Sequence, residues 1–148
     1  MNPVIRVVDL WKQYSTDEKD GIALRGANLE VMPGDIIALF GKSGSGKTTL
    51  LNLIAGLDKP TRGIIEIEGR NIELMSENGR TELRRNRIGF IFQFFNLLPT
   101  LTAFENVLFS LELIGKPDHN AVIEALHAVN LHNREYRFPH ELSGGEQQ

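Results

Sequence analysis

A glycine-rich segment directly behind an apolar run is the feature that most constrains what this chain can fold into. The segment Gly41–Leu50 reads GKSGSGKTTL and follows the apolar run Ile36–Phe40. An uninterrupted apolar run is typical of a strand covered on both faces, as in a parallel sheet. Leucine and isoleucine recur at helical spacing after the glycines, up to Leu57. The pattern therefore predicts a strand–loop–helix unit of an α/β fold.

The loop between these two elements has the residue types that bind phosphate groups. It fits G-x-x-x-x-G-K-S/T, in which glycines let successive backbone N–H groups point inward and the following helix adds its positive N-terminal end. The lysine would face the β- and γ-phosphates and the next hydroxyl would bind Mg²⁺. A flexible hydrophilic loop is the alternative interpretation. The predicted nucleotide-binding residues are Gly41, Ser43, Gly44, Ser45, Gly46, Lys47, Thr48 and Thr49.

Composition excludes several other classes of protein. The chain has 148 residues, the size of one domain, and a net charge of −3, which gives no global basic field to attract nucleic acid. It contains no cysteine, so disulfides, thiolate metal sites and cysteine nucleophiles are excluded. The N-terminal residues lack the long apolar core of a signal peptide. No apolar run approaches the roughly 18 residues of a membrane span, so we expect neither a span of its own nor a nucleic-acid partner.

The remaining patterning divides the chain into two parts. We expect residues 1–95 to form an α/β nucleotide-binding core with a β lobe, and residues 96–148 to form a helical subdomain. Strands are predicted at Val4–Leu10, around Ala27–Val31, at Gly63–Gly69 and at Ile88–Phe92, and helices follow a capping box at Thr102–Glu105 and begin near Asp118.

A serine followed by two glycines stands near the C-terminus, just ahead of a predicted helix. The residues are Ser143, Gly144 and Gly145 within the stretch LSGGE. Exposed N–H groups, a hydroxyl and a helix N-terminus repeat the features of the first loop. Taken alone, the stretch is equally well explained by an N-cap serine with two turn glycines.

Taken together, the two motifs resemble the ATP-binding cassette family, whose signature LSGGQ appears here as LSGGE. The stretches GLDKPTRGIIEIEG and RRNRIGFIFQFFNLLPTLTAFENV look like the ATPases of lipoprotein-release and macrolide-export transporters. The resemblance implies a P-loop, RecA-like core with an antiparallel β lobe and a helical subdomain. It also implies ATP and Mg²⁺ as cofactors, a head-to-tail ATPase dimer around ATP, and a transmembrane permease partner. The location it implies is peripheral, on the cytoplasmic face of the bacterial inner membrane.

The same resemblance assigns roles to single residues. Gln93 matches the glutamine that contacts Mg²⁺ and the attacking-water region, and Tyr14 matches the aromatic that stacks on adenine. The signature residues would contact the nucleotide held by a second subunit. Stacking requires only a ring face, so we expect the Tyr14 hydroxyl to matter little. A solvated strand-end glutamine and a packing aromatic are the respective alternatives.

The expected function is the ATP-binding subunit of a transporter for export or for lipid or lipoprotein extraction, with its permease contact around Phe94–Asn106. The sequence stops at Gln148, just inside the signature helix, and no apolar strand followed by Asp-Glu occurs after Gln93. All four histidines precede the signature, so none matches the family's switch histidine. We therefore expect the first part of a longer ATPase, with residues 1–148 alone unable to hydrolyse ATP. A nucleotide-binding chain without hydrolysis is the main alternative, and a small kinase or GTPase is the other.

Overall fold

The structure is a computed structural model that describes residues 2–15 and 21–148. The chain forms two compact units, one ending at Gly89 and the other comprising Phe90–Gln148. Within the described ranges, no helix has the length and apolar character needed to cross a bilayer.

The first unit is built on a four-stranded antiparallel sheet with strand order β2-β1-β3-β4. Its strands are β1 (Ile5–Gln13), β2 (Ile22–Val31), β3 (Arg62–Ile67) and β4 (Arg70–Asn71). Its helices are α1 (Lys47–Ile54) and α2 (Glu77–Arg87), with a 3-10 turn at Ile72–Leu74. The sheet confirms the predicted antiparallel β lobe.

One apolar core fixes α1 against this sheet. Val7 and Leu10 of β1 and Ile65 of β3 are fully buried, and Leu53 of α1 packs among them. Leu50, one helical turn earlier on α1, is buried in the same cluster. The spacing of these leucines therefore packs α1 against the sheet. The position of α1 in turn fixes the end of the glycine-rich loop.

Two predicted strands do not form. The segments Ile36–Phe40 and Ile88–Phe92 contain no regular strand, and Ile36 and Phe40 are 97% and 92% exposed. A buried parallel strand requires hydrogen-bonded neighbours along both edges. Among the described residues, every strand belongs to the antiparallel sheet, and none of them pairs with either segment. An apolar run indicates that a segment can be buried, but it does not indicate whether neighbouring strands are present.

Helix α2 was not predicted, because its sequence ENGRTELRRNR contains one large apolar residue, Leu83. The Ser76 side chain caps it by accepting from the backbone of Gly79 at 3.2 Å. Arg80 is buried, pairs with Glu77 and donates to the carbonyl of the 3-10 turn. Capping and a buried arginine thus replace the apolar stripe that sequence patterning detects.

The second unit is helical. It contains α3 (Ala103–Leu113), α4 (His119–Ala128) and the short α5 (Gly144–Gln147). Thr102 and Glu105 form the predicted capping box, and Asp118 caps α4 through the backbone N–H groups of its first turn. A separate apolar core joins the helices, formed by Ala103, Val122, Leu126, Leu131 and Leu142.

The Asn106 side chain connects the segment before α3 to that helix through hydrogen bonds. Its side-chain oxygen accepts from the backbone of Leu98 at 2.8 Å, and its amide donates to the carbonyls of Leu98, Leu101 and Thr102 at 3.0–3.1 Å. Four hydrogen bonds from one side chain give this segment a defined path without regular secondary structure.

Candidate nucleotide-binding site

The glycine-rich loop reaches α1 through two residues in the left-handed backbone region. Gly44 has φ 78° and Gly46 has φ 87°, and Gly46 is the N-cap of α1. A Cβ on Gly46 would collide with the carbonyl oxygen of Ala23 in β2 and would lie 2.9 Å from Leu24 Cδ2. Glycine is therefore required here both for its backbone angle and for the close approach of α1 to β2.

Lys47 lies across the loop that precedes it. Its ammonium group donates to the carbonyls of Gly41 and Lys42 at 2.8 and 2.9 Å and to Ser45 Oγ at 3.2 Å. These acceptors are neutral, whereas hydrogen bonds from an ammonium to phosphate are charge-assisted and about twice as strong. A phosphate group entering the loop would thus compete well for the ammonium.

The N-terminus of α1 is open to an anion. No side chain in the described part of the chain caps it, unlike α2, α3 and α4, and the first N–H groups of any helix lack intrahelical acceptors. Thr48 is exposed in this first turn, and no described residue hydrogen-bonds to its hydroxyl. The loop, Lys47 and this helix end therefore fit a polyphosphate.

The same residues fit Mg²⁺ delivered with a nucleotide. Among the described residues, no cluster of three or more carboxylate or histidine groups could hold a metal by itself. Mg²⁺ ordinarily keeps several waters and is bound by few protein ligands together with substrate phosphates. The Thr48 hydroxyl is the predicted protein ligand that lies at the phosphate loop.

Tyr14 lies in the same unit, one residue beyond β1. Lys12, two residues earlier, pairs in register with Leu24 of β2, and Leu24 adjoins Gly46 at the start of α1. Tyr14 is 61% exposed, and its hydroxyl donates to Asp58 at 3.0 Å. The sequence argument assigned no role to this hydroxyl, and Asp58 was missed because it lies 44 residues away in the chain.

Gln93 belongs to the second unit, where its side chain is exposed in an irregular segment instead of ending the expected strand. Its contact with Mg²⁺ and with the attacking water stays a prediction.

The signature stretch forms the cap of α5. Ser143 Oγ accepts from the backbone of Glu146 at 3.3 Å, and the Glu146 carboxylate accepts from the backbone of Ser143 at 2.8 Å. Arg134 donates to the same carboxylate at 3.1 Å, a contact that sequence reasoning missed. The Ser143 hydrogen bonds, followed by Arg134, lower the pKa of Glu146 to about 2. A Cβ on Gly144 or Gly145 would meet open space, so both glycines leave the backbone accessible.

A glycine loop opening at an uncapped helix, with a lysine across it, defines a nucleotide-binding domain of the P-loop class. Residues 24–148 match the family model described as ABC transporter. The chain belongs to the ABC transporter family.

The matches to curated relatives cover nearly the whole chain. The uncharacterized ABC transporter ATP-binding protein Rv0986 of Mycobacterium tuberculosis is 44% identical over 99% of this chain and 60% of its own length. The lipoprotein-releasing system ATP-binding protein LolD of Xylella fastidiosa is 43% identical over 99% of this chain and 62% of its own. This chain thus spans about three-fifths of the length of these relatives.

Solved structures agree with the family. The dimeric post-hydrolysis state of the ATP-binding cassette MJ0796 bound to ADP and Pi has a TM-score of 0.87 and 35% identity, covering 97% of this chain and 65% of that one. The predicted cassette fold, with an antiparallel sheet and helical part, is confirmed.

The effect of the close approach at Gly46 can be separated by mutation from the effect of its backbone angle. Gly34 has nearly the same angle, φ 88°, but no atom of residues 2–15 or 21–148 lies within 4 Å of a Cβ placed there. We expect Gly34→Ala to lose about 1–2 kcal/mol of unfolding free energy from the left-handed conformation and to keep its ATP affinity. Gly46→Ala should lose more stability and bind ATP weakly, as measured by urea unfolding and calorimetric titration. Equal behaviour of the two variants would contradict the close-packing argument.

The cap of α5 should depend on pH through Glu146. Its pKa falls from 4.5 to about 2, so the folded state favours the carboxylate. The resulting stabilisation is fully present above pH 4.5 and is lost as the pH falls through about 2. We expect the side-chain carbon of Glu146 to titrate near pH 2 by NMR, and Ser143→Ala to raise this midpoint toward 4.5. An unchanged midpoint in Ser143→Ala would show that the Ser143 hydroxyl does not contribute to the lowered pKa of Glu146, which would then rest on the backbone N–H of residue 143 and on Arg134.

Proposed function

We propose that this chain is the nucleotide-binding part of a transporter ATPase that couples ATP binding and hydrolysis to export, or to lipid or lipoprotein extraction, through a membrane permease. The observation that carries the proposal is Lys47 lying across a glycine loop at the uncapped start of α1. The likeness to proteins named for lipoprotein release supports the substrate class.

ATP binds through the residues that surround the loop. The backbone N–H groups of Gly44–Thr49 face its phosphates, Lys47 moves from its carbonyl acceptors to the β- and γ-phosphates, and Tyr14 stacks on the adenine. Mg²⁺ would be held by Thr48 together with the phosphates, where it would supply charge neutralisation and polarisation of the γ-phosphate. The lysine and the helix end thus orient and stabilise the triphosphate.

A second subunit completes each nucleotide site in this proposal. Two chains meet head to tail, and Ser143, Gly144 and Gly145 of one approach the phosphates bound by the other. In the capping box the Ser143 oxygen accepts and its hydroxyl also donates to the Glu146 carboxylate, so the hydroxyl would exchange that carboxylate for a phosphate oxygen. The dimeric state named for the solved relative supports this arrangement.

The permease contact is assigned to the segment Phe94–Asn106. Phe94, Phe95 and Leu98 are exposed there, and a cluster of exposed apolar side chains is typical of a protein-binding surface. Contact with a permease would keep the ATPase peripheral, on the cytoplasmic face of the bacterial inner membrane.

Replacement of Lys47 tests the nucleotide site. We expect Lys47→Ala to weaken Mg-ATP binding by roughly 1.5–3 kcal/mol, the range for a hydrogen bond to a charged group. Lys42→Ala is the matched control, since it removes the same charge from the same loop at a residue whose carbonyl, not its side chain, contacts Lys47. Calorimetric titration measures both variants, and equal affinities for Lys47→Ala and the unchanged chain would rule out this site.

Hydrolysis should require more than residues 1–148. Phosphoryl transfer to water needs an acidic residue near Mg²⁺ and a group that orients the water, and these residues hold no strand followed by Asp-Glu after Gln93. The carboxylates beside the signature are poor bases, since hydrogen bonding to Phe138 N–H lowers the pKa of Glu141 and that to Ser143 lowers the pKa of Glu146. We expect phosphate release by residues 1–148 to equal that of Lys47→Ala.

Steady phosphate release that Lys47→Ala abolishes would place a base within these residues. A chimera in which residues 1–148 are joined to the unmatched remainder of Xylella fastidiosa LolD is the positive comparison, and it should hydrolyse ATP under the same conditions. Absence of hydrolysis in both chains would favour the alternative of nucleotide binding without turnover.

A further inference from the structure

We propose that Asp58 and Lys12 are positioning residues for ATP: they hold the Tyr14 ring in place before the adenine arrives. The inference rests on the proposed function, in which Tyr14 stacks on the base. It adds two residues that neither motif contains.

Two contacts restrain the Tyr14 ring. Its hydroxyl donates to Asp58 Oδ2 at 3.0 Å, which fixes the tip of the ring. The ammonium of Lys12 lies 4.7 Å from the ring centroid and covers one face. Since Tyr14 is nonetheless 61% exposed, ring surface is left for a ligand. An aromatic side chain that is ordered in advance loses less conformational entropy when it binds.

Asp58 is itself held by several donors. Its Oδ1 accepts from the Lys12 ammonium and from the backbone of Lys59, each at 2.7 Å. Lys12 also donates to the Lys59 carbonyl at 2.7 Å, and its side chain is only 11% exposed. Burial raises the pKa of Asp58, but hydrogen bonds from Lys12, Lys59 and Tyr14 outweigh this effect and lower it. Near neutral pH the carboxylate is therefore ionised and accepts from all three donors.

The loop that carries Asp58 is fixed to β1 by contacts outside this cluster. The backbone of Thr61 donates to the carbonyl of Trp11 at 2.9 Å, and Thr61 Oγ1 accepts from the backbone of Gln13 at 3.0 Å. Removal of the Asp58 carboxylate consequently leaves the loop attached to the strand. Its effect on Tyr14 can then be measured in a folded chain.

The cluster also has the electrostatics that a base platform needs. Lys12 and Asp58 form an ion pair, so together they add no net charge beneath the ring. The face opposite the ammonium can stack on a purine, an interaction that depends on ring area and not on base-edge hydrogen bonds. This arrangement makes the Tyr14 hydroxyl important for ATP affinity, contrary to the expectation from sequence.

The test compares ATP with inorganic tripolyphosphate, which lacks a base, by calorimetric titration. We expect Tyr14→Phe and Asp58→Ala each to weaken ATP about two- to tenfold, the range for ordering one side chain on binding, and to leave tripolyphosphate affinity unchanged. Tyr14→Phe removes only the hydroxyl. It therefore tests the same hydrogen bond even if Asp58→Ala has a folding defect. Asp35→Ala is the matched control, because Asp35 also accepts from a backbone N–H in a turn, that of Met32 at 2.8 Å.

A double-mutant cycle decides between positioning and simple structural support. In a Tyr14→Ala background, Asp58→Ala should cause no further loss of ATP affinity. A full additional loss, or equal losses for ATP and tripolyphosphate, would overturn the inference, as would unchanged ATP affinity in both Tyr14→Phe and Asp58→Ala. The proposed function fails separately, if Lys47→Ala binds both ligands as well as the unchanged chain does.

Discussion

The contact between the start of α1 and the start of β2 controls the geometry of the candidate site. Gly46 brings the helix so near the Ala23 carbonyl that a side chain could not fit between them. Leu50 and Leu53 hold the helix there by burial in the sheet's core, which costs no polar group and does not depend on a ligand. The open N–H groups and Lys47 are therefore presented by a helix whose position is already fixed.

The pairing of β1 with β2 extends this geometry to the Tyr14 ring, which is the proposed adenine platform. Leu24, which adjoins Gly46, is the register partner of Lys12, and Lys12 lies under the Tyr14 ring. Tyr14 directly follows the last residue of β1, and its ring lies over the ammonium of Lys12 two residues earlier. The phosphate loop and the aromatic ring thus depend on one strand pair for their relative placement, and both lie in one compact unit.

Sequence predicted the features whose cause lies within a few residues. The Thr102 box, the Asp118 cap and the glycine loop are local, because an N-cap and its partners are separated by three residues or fewer. The strand at Ile36–Phe40 was wrong, since hydrophobic patterning carries no information on whether neighbouring strands are present. The Tyr14–Asp58 bond was missed for the same reason: it joins the end of β1 to a loop 44 residues further along.

The departure from the family signature illustrates how a local rule and a distant contact combine. A capping box accepts either glutamate or glutamine at its third position, so Glu146 in LSGGE keeps the cap that a glutamine would provide. The change adds a negative charge at a helix start, where the helix dipole favours it. Arg134, twelve residues earlier, pairs with that charge. The cap follows from the motif alone, whereas the ion pair depends on the fold that brings Arg134 to α5.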